Sequence, residues 1–310
     1  EKRRGNREGK VTYAPDVMLA ETLRFMEENR NRPMFIFFST NLPHGPVDIP
    51  PEENTYAGSP AIRQAYGNAS GTNRECSGAA EEYASMVDKL DRQVGAIVDQ
   101  VRKLGLDKRT IIIFSSDNGH ELYYRTDKGR GRGPDCHGGV LDGTGELLDV
   151  FRGSRGRVGP NNAMANLAGL KWTSHEGGIR VPLIISWPGT LPHGKVCHSL
   201  VANYDHMASF ADLAGIRMPE GKDAVSYMDI LSGNSSRQRD YVVVDHTVIT
   251  GDGWKLTQKQ NKPFLFHIGR DPEERNNLAG TRKDQLEKLR AIYRKEVGSP
   301  RDRKSTRLNS

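Results

Sequence analysis

The sequence predicts an α/β fold in which helices flank a mainly parallel sheet, followed by a small C-terminal α+β subdomain. Short, continuous apolar runs alternate along the chain with apolar residues at helical spacing. Continuous rather than alternating apolar runs are typical of strands covered on both faces, as in parallel sheets. The length of 310 residues is enough for one large or two ordinary domains.

The first half of the chain is predicted to alternate between helix and strand. Residues 16–30 carry apolar side chains at helical spacing, and Pro33 follows the end of this pattern. MFIFFS at 34–39 is predicted as a buried strand. The strongest helical pattern covers 81–104, and TIIIFSS at 110–116 is predicted as a second buried strand.

The second half continues the pattern and ends differently. The predicted elements are a buried strand at 181–187, a helix at 203–214, a strand at 241–247, an antiparallel pair at 254–257 and 263–268, and a charged helix near 282–297. We predict an α/β domain over 1–247, interrupted by a long Gly-rich loop at 121–170, and a C-terminal subdomain over 248–301. Residues 302–310 resemble a translated sequencing adapter, and we interpret them as an artefact.

Composition excludes several classes of function. The net charge of +6 arises at the two ends, because residues 1–10 and 301–310 each contribute +3 and the 290 residues between them are neutral. A polyanion groove, and therefore a nucleic-acid partner, is not indicated. A membrane span needs about 20 consecutive apolar residues, and no run approaches that length. The three cysteines show no zinc-binding spacing.

Asp117 and Asn118 follow a predicted strand and are candidate metal ligands. Their hard oxygen atoms suit Ca²⁺ or Mg²⁺ better than zinc or copper. Asp-Asn-Gly is also an ordinary turn sequence, and spacing alone favours the turn. Two ligands are too few for a metal site, so further ligands are expected from elsewhere.

Three further positions are candidates from their surroundings. His44 lies in the proline-braced sequence Leu-Pro-His-Gly-Pro, which suits a preorganised general acid or oxyanion contact, although spacing alone favours a solvated histidine. Lys171 is interpreted as either an anion clamp or a solvated lysine. Glu176 and Arg180 are interpreted as a structural pair that fixes the turn around two glycines.

Taken together, several ordered segments resemble the type I, arylsulfatase-like sulfatases of the alkaline phosphatase superfamily. The resemblance covers roughly residues 16–280. Its segments are MFIFFSTNLPHGP, the stretch ending in TIIIFSSDNG, LKWTSHEGGIRVPLIISWPG, GDGWKL and DPEERNNLA. The resemblance implies a sulfuric ester hydrolase that acts on a sulfated small molecule or glycan in the periplasm or outside the cell.

The resemblance also implies roles for individual residues. Asp117 and Asn118 match a pair of metal ligands, for Ca²⁺ in preference to Mg²⁺. His44 matches the histidine that contacts the sulfate and protonates the leaving oxygen, and Lys171 matches the lysine that clamps the sulfate. A cation, a lysine and a histidine would offset charge that develops on the sulfate oxygens in the transition state.

One departure from the family pattern concerns the nucleophile. Sulfatases use a formylglycine made from Cys or Ser in a C/S-x-P-S-R sequence by a maturation enzyme, and none of the cysteines here lies in such a sequence. We therefore expect the nucleophile, and part of the metal shell, in an N-terminal region that precedes these residues. The 310 residues alone are expected to be inactive, and turnover of p-nitrophenyl sulfate by them would refute this.

Two alternatives stay open at this point. A phosphodiesterase or phosphonate hydrolase of the same superfamily would share the strand-end metal site but use Thr or Ser and transition metals. A non-catalytic relative would bind a sulfated glycan without cleaving it. A requirement for Ca²⁺ rather than Zn²⁺ would favour the sulfatase over the first alternative.

Overall fold

A computed structural model of the chain describes residues 12–44, 47, 49–67, 74–119, 167–168, 171, 173–233, 239–259 and 262–298. The predicted loop at 121–170 therefore lies outside the described residues except for Leu167 and Ala168, and so does the segment 302–310. The chain divides into two compact units. Of the described residues, those up to Ile112 form the first unit, and 113–119 with the residues from Leu167 onward form the second.

The first unit is helical. It contains α1 (Ala14–Glu28), α2 (Pro60–Gly67) and α3 (Arg74–Lys103), with short 3₁₀ turns at Pro51–Glu53 and Asp107–Arg109. Met26 of α1 packs with Val101 of α3 and with Leu106, and all three are buried. The helices predicted at 16–30 and 81–104 are therefore confirmed, and α3 begins several residues earlier than its apolar pattern.

The buried strand predicted at 34–39 is wrong. Residues 33–40 have no regular secondary structure, and the side chains of Phe35 and Phe37 are 74% and 83% exposed. A strand is stabilised by hydrogen bonds to a neighbour, and no described strand pairs with this segment. Apolar composition predicts a tendency to be buried, whereas pairing depends on tertiary context.

The second unit begins within β1 (Ile112–Ser115), which pairs with β2 (Leu183–Ser186) in a two-stranded sheet. Three helices of this unit are α4 (Glu176–Ile179), α5 (Asp205–Leu213) and α6 (Met228–Ser232). The strands predicted at 110–116 and 181–187 and the helix predicted at 203–214 are confirmed. The predicted burial of the strand at 181–187 is wrong, since Ile184 is 61% exposed and β1 is its only paired neighbour among the described strands.

The C-terminal part of the second unit is an antiparallel sheet covered by a helix. Its strands pair in chain order. They are β3 (Tyr241–Val244), β4 (Thr247–Thr250), β5 (Trp254–Lys259) and β6 (Lys262–His267), and the helix is α7 (Lys283–Val297). Side chains from β4, β5 and β6 form a buried core with two leucines of α7, Leu286 and Leu289.

This sheet confirms the predicted antiparallel pair and the charged C-terminal helix. It also corrects the role of the strand predicted at 241–247, because Tyr241–Val244 pairs antiparallel with β4 instead of continuing a parallel sheet. The division into domains at 1–247 and 248–301 stays a prediction. In the part of the chain that the structure describes, no helix combines the length and apolarity needed to cross a bilayer.

Candidate functional site

The loop that follows β1 carries the two predicted metal ligands. Asp117 is exposed, and its Oδ1 accepts a hydrogen bond from Asn118 Nδ2 at 3.1 Å. Ser116 Oγ donates to the Asn118 carbonyl at 2.8 Å, which fixes the bend of the backbone. The carboxylate and amide side chains of these two residues are therefore adjacent at the end of a strand, where α/β proteins commonly bind ligands.

Gly119 holds this loop against a second segment. Its N–H donates to the Gly178 carbonyl at 2.9 Å, and a Cβ at position 119 would lie 1.8 Å from the Gly177 carbonyl oxygen. Neither Asn118 nor Gly119 has a positive φ. Close approach of the two backbones, and not the left-handed conformation of an Asn-Gly turn, is what requires glycine here.

The segment before α4 carries Lys171. The Gly177 N–H donates to the Ala168 carbonyl at 2.5 Å, and the Ala168 N–H donates to the Pro272 carbonyl at 3.2 Å. Lys171, which the family resemblance implies as the anion clamp, is half-buried. In the chain it lies between Ala168 and Gly177, whose backbones are joined by the first of these hydrogen bonds. The loop after β1, the segment of Lys171 and α4 are thus connected through the backbone of Gly177 and Gly178.

A buried ionic cluster holds α4 from the other side. Lys255 Nζ donates to Glu176 Oε1 at 3.0 Å and to Glu274 Oε1 at 2.9 Å, and the side chain of Lys255 is 0% exposed. Glu274 Oε1 also accepts the Glu176 N–H at 2.7 Å, and Glu274 Oε2 lies 2.7 Å from His175 Nδ1.

The alternation of β5 explains how a lysine comes to be buried. Successive side chains of a strand point to opposite faces of the sheet. Leu256 is in the core with Leu286 and Leu289 of α7, so the neighbouring Lys255 points to the opposite face, where it meets α4. One strand thereby joins the C-terminal sheet core to the candidate site.

Glu274 is the residue most constrained by this arrangement. Burial raises the pKa of its carboxyl, but the hydrogen bond with His175 and the charge of Lys255 outweigh burial, so the pKa lies below its ordinary value. Its φ is 49°, a left-handed conformation that is uncommon for a residue with a side chain. Such strain persists where surrounding contacts hold the residue in place, often near functional sites.

The structure contains the pair that the sequence predicts, as a long ion pair: Arg180 Nη1 lies 3.8 Å from Glu176 Oε2, and the side chain of Arg180 is 62% exposed. The nearer partner of Glu176 is Lys255, whose Nζ lies 3.0 Å from Glu176 Oε1. Sequence analysis missed Lys255, Glu274 and His175 as members of the site. The available signal was the lysine itself, placed between the apolar residues Trp254 and Leu256 of β5.

His44 belongs to the first unit. Its side chain is exposed, and its N–H donates to the Asn41 carbonyl at 2.7 Å, which closes a tight turn. The loop is held by Leu42 and Ile49, which are buried against Met86 of α3. The histidine is therefore carried by a loop that packs on the longest helix of the unit.

The donor chemistry of this site can be compared with the needs of a divalent cation. Asp117 and Asn118 supply oxygen atoms of the kind that Ca²⁺ prefers. Within the described residues, no group of three or more His, Cys, Asp and Glu side chains could hold a metal ion. The pair therefore fits Ca²⁺ in the type of donor and supplies only part of a shell that needs six or more oxygens.

The fold and this site define a class: an α/β protein with oxygen donors at a strand end and a lysine on a loop tied to it. A family model of the sulfatases matches residues 2–216, and a model described as N-sulphoglucosamine sulphohydrolase, C-terminal, matches residues 171–299. The chain belongs to the sulfatase family.

Relatives and solved structures agree with this family. The chain is 24% identical to the N-acetylgalactosamine-6-sulfatase of Canis lupus familiaris over 89% of its own length and 50% of the relative. A structure reported under glycosaminoglycan metabolism by Bacteroides thetaiotaomicron matches with a TM-score of 0.65 at 22% identity, covering 90% of this chain and 53% of that one. Another, solved with its substrate D-glucosamine-2-N,6-O-disulfate, matches at 0.60 and 16% identity, covering 93% and 71%.

These matches confirm the predicted fold class and the family resemblance. The chain spans about half the length of the curated relatives it matches. The structural likeness, at identities below 25%, supports the fold and leaves the roles of individual residues as proposals.

Proposed function

We propose that the protein hydrolyses sulfate esters and that these residues supply its sulfate contacts and part of its metal site. The observation that carries the proposal is the hydrogen bond between Gly119 and Gly178, which joins the loop of Asp117 and Asn118 to α4. The Gly177 N–H, which donates to the Ala168 carbonyl, ties the segment that leads to Lys171 to the same helix. Membership of the sulfatase family supports the same chemistry.

Each candidate residue has a distinct role in this proposal. Asp117 and Asn118 would hold a cation, Ca²⁺ in preference to Mg²⁺, together with further ligands. A bound divalent cation supplies charge stabilisation for the sulfate oxygens in the transition state. Lys171 would orient the sulfate group through its ammonium, and His44 would give a proton to the leaving alcohol oxygen.

The proposed substrate is a sulfated glycan. A relative is named for the 6-sulfate of N-acetylgalactosamine, and a similar structure was solved with a doubly sulfated glucosamine. We also propose a periplasmic or extracellular location, where such glycans are met.

The nucleophile is proposed to be a formylglycine in sequence beyond these 310 residues, made by a formylglycine-generating or maturase enzyme. The printed sequence contains no C/S-x-P-S-R motif. We expect such a motif in the same reading frame of the source DNA, upstream of Glu1. A Thr or Ser nucleophile in another context would instead favour the phosphodiesterase alternative.

The experiment is a comparison of two esters with the protein expressed from the extended reading frame and matured. We expect release of sulfate from p-nitrophenyl sulfate and from N-acetylgalactosamine-6-sulfate, in the presence of Ca²⁺. Lys171→Ala and His44→Ala should each lower kcat by about 100-fold, the usual cost of losing a group that stabilises transition-state charge. Lys195→Ala is a matched control at an exposed lysine and should keep full activity.

Preferential hydrolysis of p-nitrophenyl phosphate with Zn²⁺ would overturn the proposal in favour of the phosphoryl-transfer alternative. Binding of the sulfated sugar with no turnover after maturation would favour the non-catalytic relative.

A further inference from the structure

We propose that Lys255 is a positioning residue for the metal and sulfate loops, acting through Glu176 from the neighbouring antiparallel sheet. The inference rests on the proposed function and extends it to a residue outside the loops that carry the proposed metal and sulfate ligands. Lys255 lies on β5 and touches neither Asp117, Asn118 nor Lys171 in its hydrogen bonds. Its influence would pass through the backbone of α4.

The first step is the attachment of α4 to the sheet. Glu176 is the first residue of α4, and both its carboxylate and its N–H are held, by Lys255 at 3.0 Å and by Glu274 at 2.7 Å. Glu176, Gly177 and Gly178 are all buried. An element of four residues has little helical stability of its own, so these contacts fix its position.

The second step leads from α4 to the candidate ligands. The Gly178 carbonyl accepts the Gly119 N–H, and the Gly177 carbonyl oxygen occupies the space that a side chain at position 119 would need. A shift of α4 therefore displaces Gly119 and, with it, the adjacent Asn118 and Asp117. Through the Gly177 N–H and the Ala168 carbonyl, the same shift reaches the segment that leads to Lys171.

The third step is the set of contacts that holds Glu274 in position. Its left-handed backbone and its buried carboxylate are held by contacts from three sides: Lys255, the Glu176 N–H and His175. The Pro272 carbonyl in the same loop accepts the Ala168 N–H. The loop of Glu274 and the strand of Lys255 thus together support α4 and the segment that leads to Lys171.

Calcium titration by calorimetry of the protein expressed from the extended reading frame tests this inference. Lys255→Met should weaken Ca²⁺ affinity by about tenfold or more, as loss of partners that orient metal ligands commonly does. Lys255→Arg should keep most of the affinity, because it retains a cation that can donate to both carboxylates. Lys89→Met is the matched control: Lys89 also contacts two carboxylates, but in the first unit, and its loss should leave Ca²⁺ affinity unchanged.

Equal Ca²⁺ affinity in Lys255→Met and the unsubstituted chain would overturn the positioning role. If the unsubstituted protein from the extended reading frame binds no Ca²⁺, the proposed metal role of Asp117 and Asn118 fails, and hydrogen exchange at the Gly119 amide then decides the inference. Exchange is compared at urea concentrations that give the two variants the same free energy of unfolding. Faster exchange of the Gly119 amide in Lys255→Met than in Lys89→Met under these conditions supports positioning of the loop. Unchanged exchange overturns it.

Discussion

Two lysines of this protein contact two carboxylates each, in very different surroundings. In the second unit, Lys255 is 0% exposed and its partners Glu176 and Glu274 are 4% and 0% exposed. In the first unit, Lys89 is 8% exposed, but its partners Asp16 and Glu53 are 42% and 25% exposed. The two lysines are similarly buried, whereas their carboxylate partners differ in exposure to water.

The exposure of the carboxylates determines how much stability is lost when the lysine is removed. A carboxylate that keeps contact with water loses little when its partner is removed, and surface pairs contribute about 0–1 kcal/mol. A carboxylate without water has no substitute for its partner, and breaking a buried pair costs about 3–5 kcal/mol. Lys255, Glu176 and Glu274 therefore stabilise the protein only when all three are present, because none of them is solvated.

The largest expected effect is that of Lys255→Met on global stability. It leaves the carboxylates of Glu176 and Glu274 buried without their cation, and we expect the free energy of unfolding to fall by about 3–5 kcal/mol. Urea unfolding followed by circular dichroism measures the change. Adding Glu176→Gln and Glu274→Gln to Lys255→Met should recover part of the loss, because no unpaired charge then stays buried.

A loss below about 1 kcal/mol for Lys255→Met would place this lysine in the class of surface pairs and would contradict the comparison.

A smaller effect is expected for Lys89→Met. Asp16 is still exposed to water after the substitution and Glu53 is partly so, and we expect a loss of about 1 kcal/mol in the same unfolding experiment. A loss as large as that of Lys255→Met would mean that exposure of the partners is not what separates the two lysines.

The pH dependence of stability should differ between the wild-type chain and Glu274→Gln. The pKa of Glu274 in the folded protein lies below its ordinary value of 4.5. Its ionised form therefore contributes stability that is present above pH 4.5 and is lost as pH falls through the folded pKa. Unfolding free energies measured at several pH values should show the advantage of the wild type over Glu274→Gln shrinking as the pH falls below 4.5. An advantage that grows on acidification would contradict this sign.

The smallest effect is expected on the surface of α1. Arg24 lies 2.5 Å from Glu21 and 2.8 Å from Glu28, and all three side chains are more than half exposed. Arg24→Gln should leave the urea midpoint unchanged within experimental error, because solvent screens these pairs. A clear shift would show that burial is a poor guide to the worth of ion pairs in this protein.

The longer helices and most strands could be predicted from the sequence because their signals are local. Apolar spacing identifies α1 and α3, the charged segment near 282–297 indicates α7, and the runs that form β1 and β2 are visible as continuous apolar segments. The short helices α2, α4 and α6 are not predicted from the sequence. MFIFFS has the same composition but forms no strand, since pairing requires a partner that composition does not reveal. The exposure of Ile184 on β2 has the same origin.

The candidate site was predictable only in part, for a related reason. Asp117, Asn118 and Lys171 follow from strand ends and family motifs, which are local in the chain. Lys255 and Glu176 are 79 residues apart, so their contact is a property of the folded protein. A lysine between two apolar residues of a strand suggests a buried partner but does not say which carboxylate it is.

Calcium binding by the protein expressed from the extended reading frame, with Asp117→Asn as its comparison, tests the central claim most directly. The account predicts binding of one Ca²⁺ per chain, weakened by about tenfold or more in Asp117→Asn because a charged ligand is lost. Calorimetry under identical conditions measures both affinities, and urea unfolding shows that the variant is folded. Equal affinity in the two proteins, or no binding in either, would contradict the assignment of this strand end as a metal site.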